Sequence, residues 1–249
     1  MWKVTQVFKF TFVVLLLLVS ACADKRLPSG ESVDKVFPDK NALNIVKSAI
    51  AGKQDSLAVA IRNAGFVDPR GAYGITPLWW TVWVSDFTAF RLLVQSGAKG
   101  DINNERFPNI IELAAMNADE RFLQLLIRSG TDLNIVNPRT GETPIFSALM
   151  NLQLANLRTL LAASARTDVK DSEGNDLILR AAQLNRYDVV YELLTSRRAE
   201  LVKNNYGTGL SELIARSKID PSNPLAEWKK KVELSLKKRT EPHKPTKAL

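Results

Sequence analysis

The sequence predicts an all-α repeat protein, and three observations carry that prediction. A short box appears as Gly74-Ile75-Thr76-Pro77-Leu78 and again as Gly141-Glu142-Thr143-Pro144-Ile145. Degenerate copies stand at Phe107-Pro108-Asn109-Ile110-Ile111, Gly174-Asn175-Asp176-Leu177-Ile178 and Gly207-Thr208-Gly209-Leu210-Ser211, so that successive boxes lie 33, 34, 33 and 33 residues apart. A second motif closes the units: LLVQSGA at Leu92–Ala98, LLIRSGT at Leu125–Thr131, LLAASA at Leu160–Ala165 and LLTSRRA at Leu193–Ala199. A period of this length marks supersecondary units that bury their apolar faces only against their neighbours.

The first element precedes the repeats. Lys3 and Lys9 are followed by an apolar run from Phe10 to Val19, broken only by Thr11. At about ten residues the run is too short to cross a bilayer of roughly 30 Å, but it suits the core of a signal peptide over residues 1–21. It ends in Val19-Ser20-Ala21-Cys22, which resembles the lipobox of bacterial lipoproteins. The resemblance implies that Cys22 is acylated and becomes the mature N-terminus. With Ala23 rather than Asp after it, the resemblance places the chain on the inner leaflet of the outer membrane, facing the periplasm, with the inner membrane as the lesser alternative. Cys22 is the sole cysteine of the chain, so no internal disulfide can form. Residues 22–42 are polar, contain Pro28 and Pro38 and show no period. They are expected to be a flexible tether with a mean reach of roughly 25 Å.

The body spans residues 43–217. Residues 43–70 lack the box but keep small residues and a closing Gly65, as a capping repeat would. Four repeats follow at 71–103, 104–137, 138–170 and 171–203, then a partial one at 204–217. Thr76 and Thr143 are placed as N-caps whose hydroxyls accept from free helix N–H groups, and Pro77 and Pro144 sit at the first helical position, where no N–H is needed. The second repeat replaces Thr-Pro with Asn109-Ile110, and the fourth has Asp176, still an N-cap, followed by Leu177. Gly97 and Gly130 supply the left-handed residue that ends the second helix. The small pairs Ala114-Ala115 and Ala181-Ala182 let helices approach closely. Beyond Ser217, Leu225, Trp228, Val232 and Leu236 form a helical stripe among Lys229-Lys230-Lys231 and Lys237-Lys238-Arg239. Residues 218–239 are therefore expected to be a basic capping helix and 240–249 a disordered tail.

The 33-residue period, opened by G-x-T-P-L and closed by L-L-x-x-G-A, resembles the ankyrin repeat. The implied fold is an ankyrin solenoid of helix-turn-helix-loop units with capping helices at both ends. Proteins of this kind bind other proteins through loop tips and the exposed edge of the first helix in each repeat. Carried onto this sequence, the implied partner-binding residues are Tyr73, Ile75 and Trp83; Glu105, Arg106, Met116 and Asn117; Arg139, Glu142, Met150 and Asn151; Glu173 and Gln183; and Tyr206. Three tryptophans crowd Gly74–Trp83. Trp79 occupies the slot where ankyrin repeats carry a histidine, so its burial is expected to replace that residue's hydrogen bonds. Trp80 is expected to be half-buried, and Trp83 to lie on the outward edge.

Catalysis has few candidates. The single histidine, His243, lies between prolines in the tail, and Cys22 is expected to be acylated. No imidazole-based nucleophile or metal site can be assembled from these, and no phosphate-cradling glycine loop is present. The expectation is a non-enzyme without cofactor or metal, monomeric when unbound. The 249 residues carry a formal charge of +8, of which Lys3 and Lys9 leave with the signal peptide. Such a charge suits anionic partners, and export removes nucleic acid from them. Ankyrin-repeat lipoproteins resembling this one occur beside lipase effectors of type VI secretion, which implies an immunity protein that sterically blocks a phospholipase. A periplasmic scaffold or chaperone for an envelope or oxidative-stress enzyme, and a lipid- or cell-wall-binding structural lipoprotein, remain open alternatives.

Overall fold

The structure, a computed structural model, describes residues 26–240 apart from Pro28, Asn103, Glu105, Arg197, Ala199 and the Thr240 side chain. The signal peptide, Cys22 and the tail after Thr240 lie outside the described residues. Two helices precede the repeats proper, α2 (Lys40–Ile50) and α3 (Gln54–Ala64), after a single turn, α1 (Val33–Val36). The pairs that follow are α4 (Pro77–Trp83) with α5 (Phe87–Gln95), α6 (Ile110–Met116) with α7 (Glu120–Arg128), and α8 (Pro144–Met150) with α9 (Leu154–Ala162). Then come α10 (Leu177–Gln183) with α11 (Tyr187–Thr195), and α12 (Leu210–Arg216) with α13 (Leu225–Thr240).

The sequence period is reproduced helix for helix. Every first helix from α4 onward has seven residues, and α5, α7, α9 and α11 have nine each. Thr76 caps α4, its hydroxyl accepting from the Trp79 N–H at 3.2 Å. Asn109 and Glu112 form a reciprocal capping box on α6, at 2.9 Å and 2.8 Å. Asp176 accepts from the Leu179 N–H at 3.0 Å. Thr143 departs from expectation. It holds the cap position, but its hydroxyl is buried without a hydrogen-bond partner, so Pro144 alone carries that helix start. Gly97 and Gly130 adopt φ of 91° and 78°, as a helix-ending residue must, and Ser164 takes the same place at φ 65° in the repeat that lacks the glycine.

The chain divides into two compact units. The first runs to Pro138 and includes Thr143–Ala165; the second comprises Arg139–Glu142 and the chain from Arg166 onward. Within the first unit, α2 packs on α3, α4 and α5, and α6 packs on both α4 and α8. Its core is apolar and largely sealed, with Trp79, Trp80, Phe90, Phe122 and Phe146 all buried. Asn156 bridges two repeats, its amide donating to the Ala115 and Asn117 carbonyls at 3.0 Å and 2.7 Å, which satisfies the open end of α6. Within the second unit α10 packs on α11 and α12, and α13 lies along α11.

The expected flexible tether is corrected over its described part. Residues 26–37 fold onto the first repeat, with Leu27, Val36 and Phe37 buried, and α2 already begins at Lys40, capped by Asp39. The segment turns back on itself through a bridge between Arg26 and Ser32. Phe37 meets Trp80 edge-on, with ring centroids 6.2 Å apart. Gly71 is required beneath it, since a Cβ there would collide with the Val36 carbonyl oxygen.

Candidate partner-binding surface

In the first unit, the residues expected to face a partner are mostly core. Trp83 is 3% exposed. It stacks on Trp79 at 5.7 Å, and its Nε1–H donates to the Arg26 carbonyl at 2.8 Å, so the strap of residues 26–37 covers the edge that a free repeat would present. Trp79 was expected to replace a histidine's hydrogen bonds by burial alone. It keeps one, donating from Nε1 to the Pro108 carbonyl at 2.7 Å in the next loop. Trp80 is fully buried rather than half-buried, and its Nε1 has no partner. Ile75 is buried too, at the position before the N-cap, where apolar residues fold back toward the helix.

Met116, Asn117 and Asn151 are likewise corrected to the interior. Met116 ends a helix every residue of which is buried. The two asparagines are spent on backbone. Asn117 Oδ1 accepts from the Asp119 N–H at 2.9 Å, and the Asn151 amide donates to the Ser147 carbonyl at 2.8 Å. Tyr73 is half-buried, and its hydroxyl donates to Glu31 Oε1 at 2.9 Å. That bond holds the hydroxyl's pKa above its ordinary value, while hydrogen bonds from Ser29 and then Tyr73 lower that of Glu31. Arg106 is exposed with its guanidinium 5.3 Å from the Tyr73 ring centre, and Met150 is half-exposed. Glu105 lies outside the described residues.

The second unit gathers the rest. Arg139, Glu142, Glu173, Gln183 and Tyr206 stand on its loop tips and on α10, and none is buried. Their frame is a polar network absent from the sequence-based expectation. Arg180 on α10 forms an ion pair with buried Asp171, with a 3.1 Å contact from Nε, and reaches Glu173 at 3.4 Å. Asp171 Oδ1 also accepts from the Glu173 and Asn175 N–H groups at 2.9 Å and 3.0 Å, which fixes the loop tip. Asn175 Oδ1 then accepts from Gln183 at 3.0 Å and from Asn204 at 2.9 Å. Asn204 Oδ1 in turn accepts from the Tyr206 and Thr208 N–H groups, both at 3.0 Å.

Tyr206 therefore stands on a braced turn while its side chain is 74% exposed. Gly174 permits the close approach of the two loops, because a Cβ there would collide with Asn205. Glu142 sits beside this network, and burial raises its carboxyl pKa against the opposing pull of Arg180 and Arg139. A shallow depression lined by Ile214, Leu236 and Lys237 opens between α12 and α13. Among the described residues, no group of three or more acidic, His or Cys side chains is placed to hold a metal ion. Among the same residues no helix is long and apolar enough to cross a membrane.

Comparison with known proteins agrees with the repeat architecture. Residues 111–205 match the ankyrin-repeat family model in three copies. Protein PhlB of Serratia liquefaciens is 32% identical over 117 residues, which is 47% of this chain. The chain spans about half the length of that relative, 52%. The crystal structure of EF0377, an ankyrin repeat protein, superposes with a TM-score of 0.63 at 18% identity, covering 79% of this chain and 97% of that one. At that identity the likeness speaks for the fold. The helix period, the family match and the superposition agree that this chain has the ankyrin-repeat fold.

Proposed function

We propose that this chain is a lipid-anchored, periplasm-facing ankyrin protein that captures a protein partner on the loop tips and inner-helix edge of its second unit. Ankyrin-repeat folds are typically non-catalytic interaction scaffolds, and repeat surfaces are built for contact with other proteins. The observation that carries the reading is Tyr206, an exposed aromatic side chain on a turn pinned by Asn204 and linked to Glu173 and Gln183. An aromatic anchor within a polar rim is the composition of an interface hot spot, and a preformed turn lowers the entropy lost on binding. The N-terminal apolar run leading into Val19-Ser20-Ala21-Cys22 supports anchoring through Cys22.

In its sharpest form the proposal is an immunity protein that covers the active-site entrance of a phospholipase delivered by type VI secretion. An inhibitor held by its lipid at the membrane face would stand where such an enzyme must work. The test mixes purified protein with a purified phospholipase effector of type VI secretion and measures both complex formation and phospholipid hydrolysis. Stoichiometric inhibition is expected, and Tyr206→Ala should weaken it by about 2 kcal/mol or more without changing the melting temperature. Absence of both binding and inhibition defeats the immunity role. Unchanged affinity in Tyr206→Ala would instead remove the second-unit surface from the account.

A further inference from the structure

The strap fixes where the folded body begins. The Arg26 carbonyl accepts from the Trp83 indole, and Leu27 is buried. The turn that follows is closed by the Leu27 N–H donating to the Glu31 carbonyl at 2.9 Å and the Gly30 N–H donating to the Leu27 carbonyl at 2.8 Å. Glu31 in turn holds the Tyr73 hydroxyl. The chain is thus tied to the first repeat at Arg26, four residues after Cys22. Four residues reach at most about 14 Å when fully extended. An acylated cysteine sits at the boundary between hydrocarbon and headgroups, and the headgroup layer above it takes up about 5–8 Å. The remaining reach is about 6–9 Å, less than the width of one helix with its side chains, roughly 10–12 Å.

We infer that this short link holds the first unit directly on the phospholipid headgroups of the bilayer that carries Cys22, on the face formed by Arg26, Tyr73, Arg106 and Phe107. The placement rests on the acylation of Cys22 in the proposed function, and it puts a docked face where a swinging tether of roughly 25 Å was expected. The face is continuous. Rings run from Trp83 to Trp79 at 5.7 Å, on to Phe107 at 5.5 Å and to Tyr73 at 5.8 Å, with Arg26 bonded at one end and Arg106 over the other. Both arginines are exposed, while Tyr73 and Phe107 are half-buried. Arg26 also donates to the Gly30 carbonyl at 3.4 Å. A guanidinium carries several N–H donors, so these contacts position the two groups and leave donors for phosphate oxygens. The Glu31 carboxylate beside them is already held by the Ser29 and Tyr73 hydroxyls. A half-sunk tyrosine ring suits the headgroup level. A protein partner seated on this edge would have to enter a gap narrower than a helix. Strap and membrane together close the first repeat's edge, which leaves capture to the second unit.

The test uses the full chain expressed with its N-terminal segment, purified from membranes and reconstituted into phosphatidylcholine vesicles containing headgroup-spin-labelled lipid. With Cys22 acylated, Ser29→Cys or Ser96→Cys supplies the single thiol for a fluorophore. Both positions are exposed. Ser29 lies in the strap turn, whereas Ser96 follows α5, whose nine residues carry it about 13 Å from the Trp83 end of the repeat. Over that distance, quenching is expected to be about twofold or more stronger at position 29 than at 96. Inserting about twenty Gly/Ser residues between Asp24 and Lys25 restores a mean reach of about 25 Å and should erase the difference. Circular dichroism confirms that each variant is folded. Equal quenching at the two positions overturns the inference. A difference that survives the insertion overturns it too, since the contact would then come from affinity of the face and not from the short link. Mass spectrometry of the same preparation reads the lipid on Cys22. An unmodified Cys22 defeats the anchoring and the docking together, whereas an acylated chain with equal quenching defeats the docking alone.

Discussion

Tyr73 and Tyr206 occupy the same place in their repeats, each immediately before the glycine of its box, and their surroundings are opposite. Tyr73 is half-covered: its hydroxyl is taken by Glu31, its ring meets Phe107 edge-on at 5.8 Å, and Arg106 lies over it. Tyr206 has a braced backbone and an open side chain. The next position along the inner edge shows a matching gradient. Trp83 and Met116 are buried, Met150 and Gln183 are intermediate, and Arg216 is exposed. Repeat register therefore fixes where a side chain points, whereas exposure depends on what the flanking chain does. In the first unit residues 26–37 convert a binding edge into core; in the second the loop tips remain a surface.

The comparison breaks first at Trp83. If the edge is core, Trp83→Ala removes a stacked, hydrogen-bonded indole and should cost about 3–5 kcal/mol. Hydrogen exchange at α4 and α5 amides measures this locally, which avoids treating a repeat array as two-state. Unchanged protection would mean that the strap does not complete the first repeat. The same variant should leave partner affinity intact wherever the protein is folded.

A somewhat smaller effect is expected at Arg180. Asp171 is buried, and Arg180→Met would leave its charge without the guanidinium, a loss of about 3 kcal/mol for a pair of this kind. Adding Asp171→Asn should recover much of that, because the uncompensated charge disappears along with its partner. The readout is urea unfolding of single and double variants. Simple additivity of the two losses would show that the pair is not coupled. The Arg180→Met variant should also loosen the Tyr206 turn, since Asn175 links Asp171 to Asn204.

The architecture was legible because its signals are local and repeated. Pro77 and Pro144 mark helix starts, Gly97 and Gly130 mark helix ends, and the 33-residue spacing sets the pairing. The strap was not legible, because its buried residues Leu27, Val36 and Phe37 follow neither a helical nor a strand period. Without the strap, Trp83 reads as outward. The Asp171–Arg180 pair had a visible signal that went unused. Position 180 is equivalent to Trp80, Leu113 and Ser147, all buried, so a cation there demands a nearby acidic partner. Thr143 shows the limit of motif reading, since an intact Thr-Pro box does not guarantee the cap hydrogen bond.

The smallest expected effect distinguishes a binding carboxylate from a structural one. Glu142 belongs to the second unit, and desolvation raises its pKa, with Asp171 adding to the rise and Arg180 and Arg139 opposing it. A carboxyl with a raised folded-state pKa binds protons more readily when folded than when unfolded. It therefore carries no penalty below its ordinary pKa. The penalty builds as pH climbs from there through the raised value, and is full above it. Glu142→Gln removes the ionisable group, so the variant should match the parent near pH 4 and be the more stable of the two at pH 7. Melting temperatures of both proteins across that range measure the difference, and subtraction cancels the other carboxylates. A constant offset at all pH values would show that Glu142 is freely solvated. Greater stability at pH 7 combined with weaker partner binding would mark Glu142 as a carboxylate held ready for a cationic group on the partner, kept at a cost to the folded chain alone.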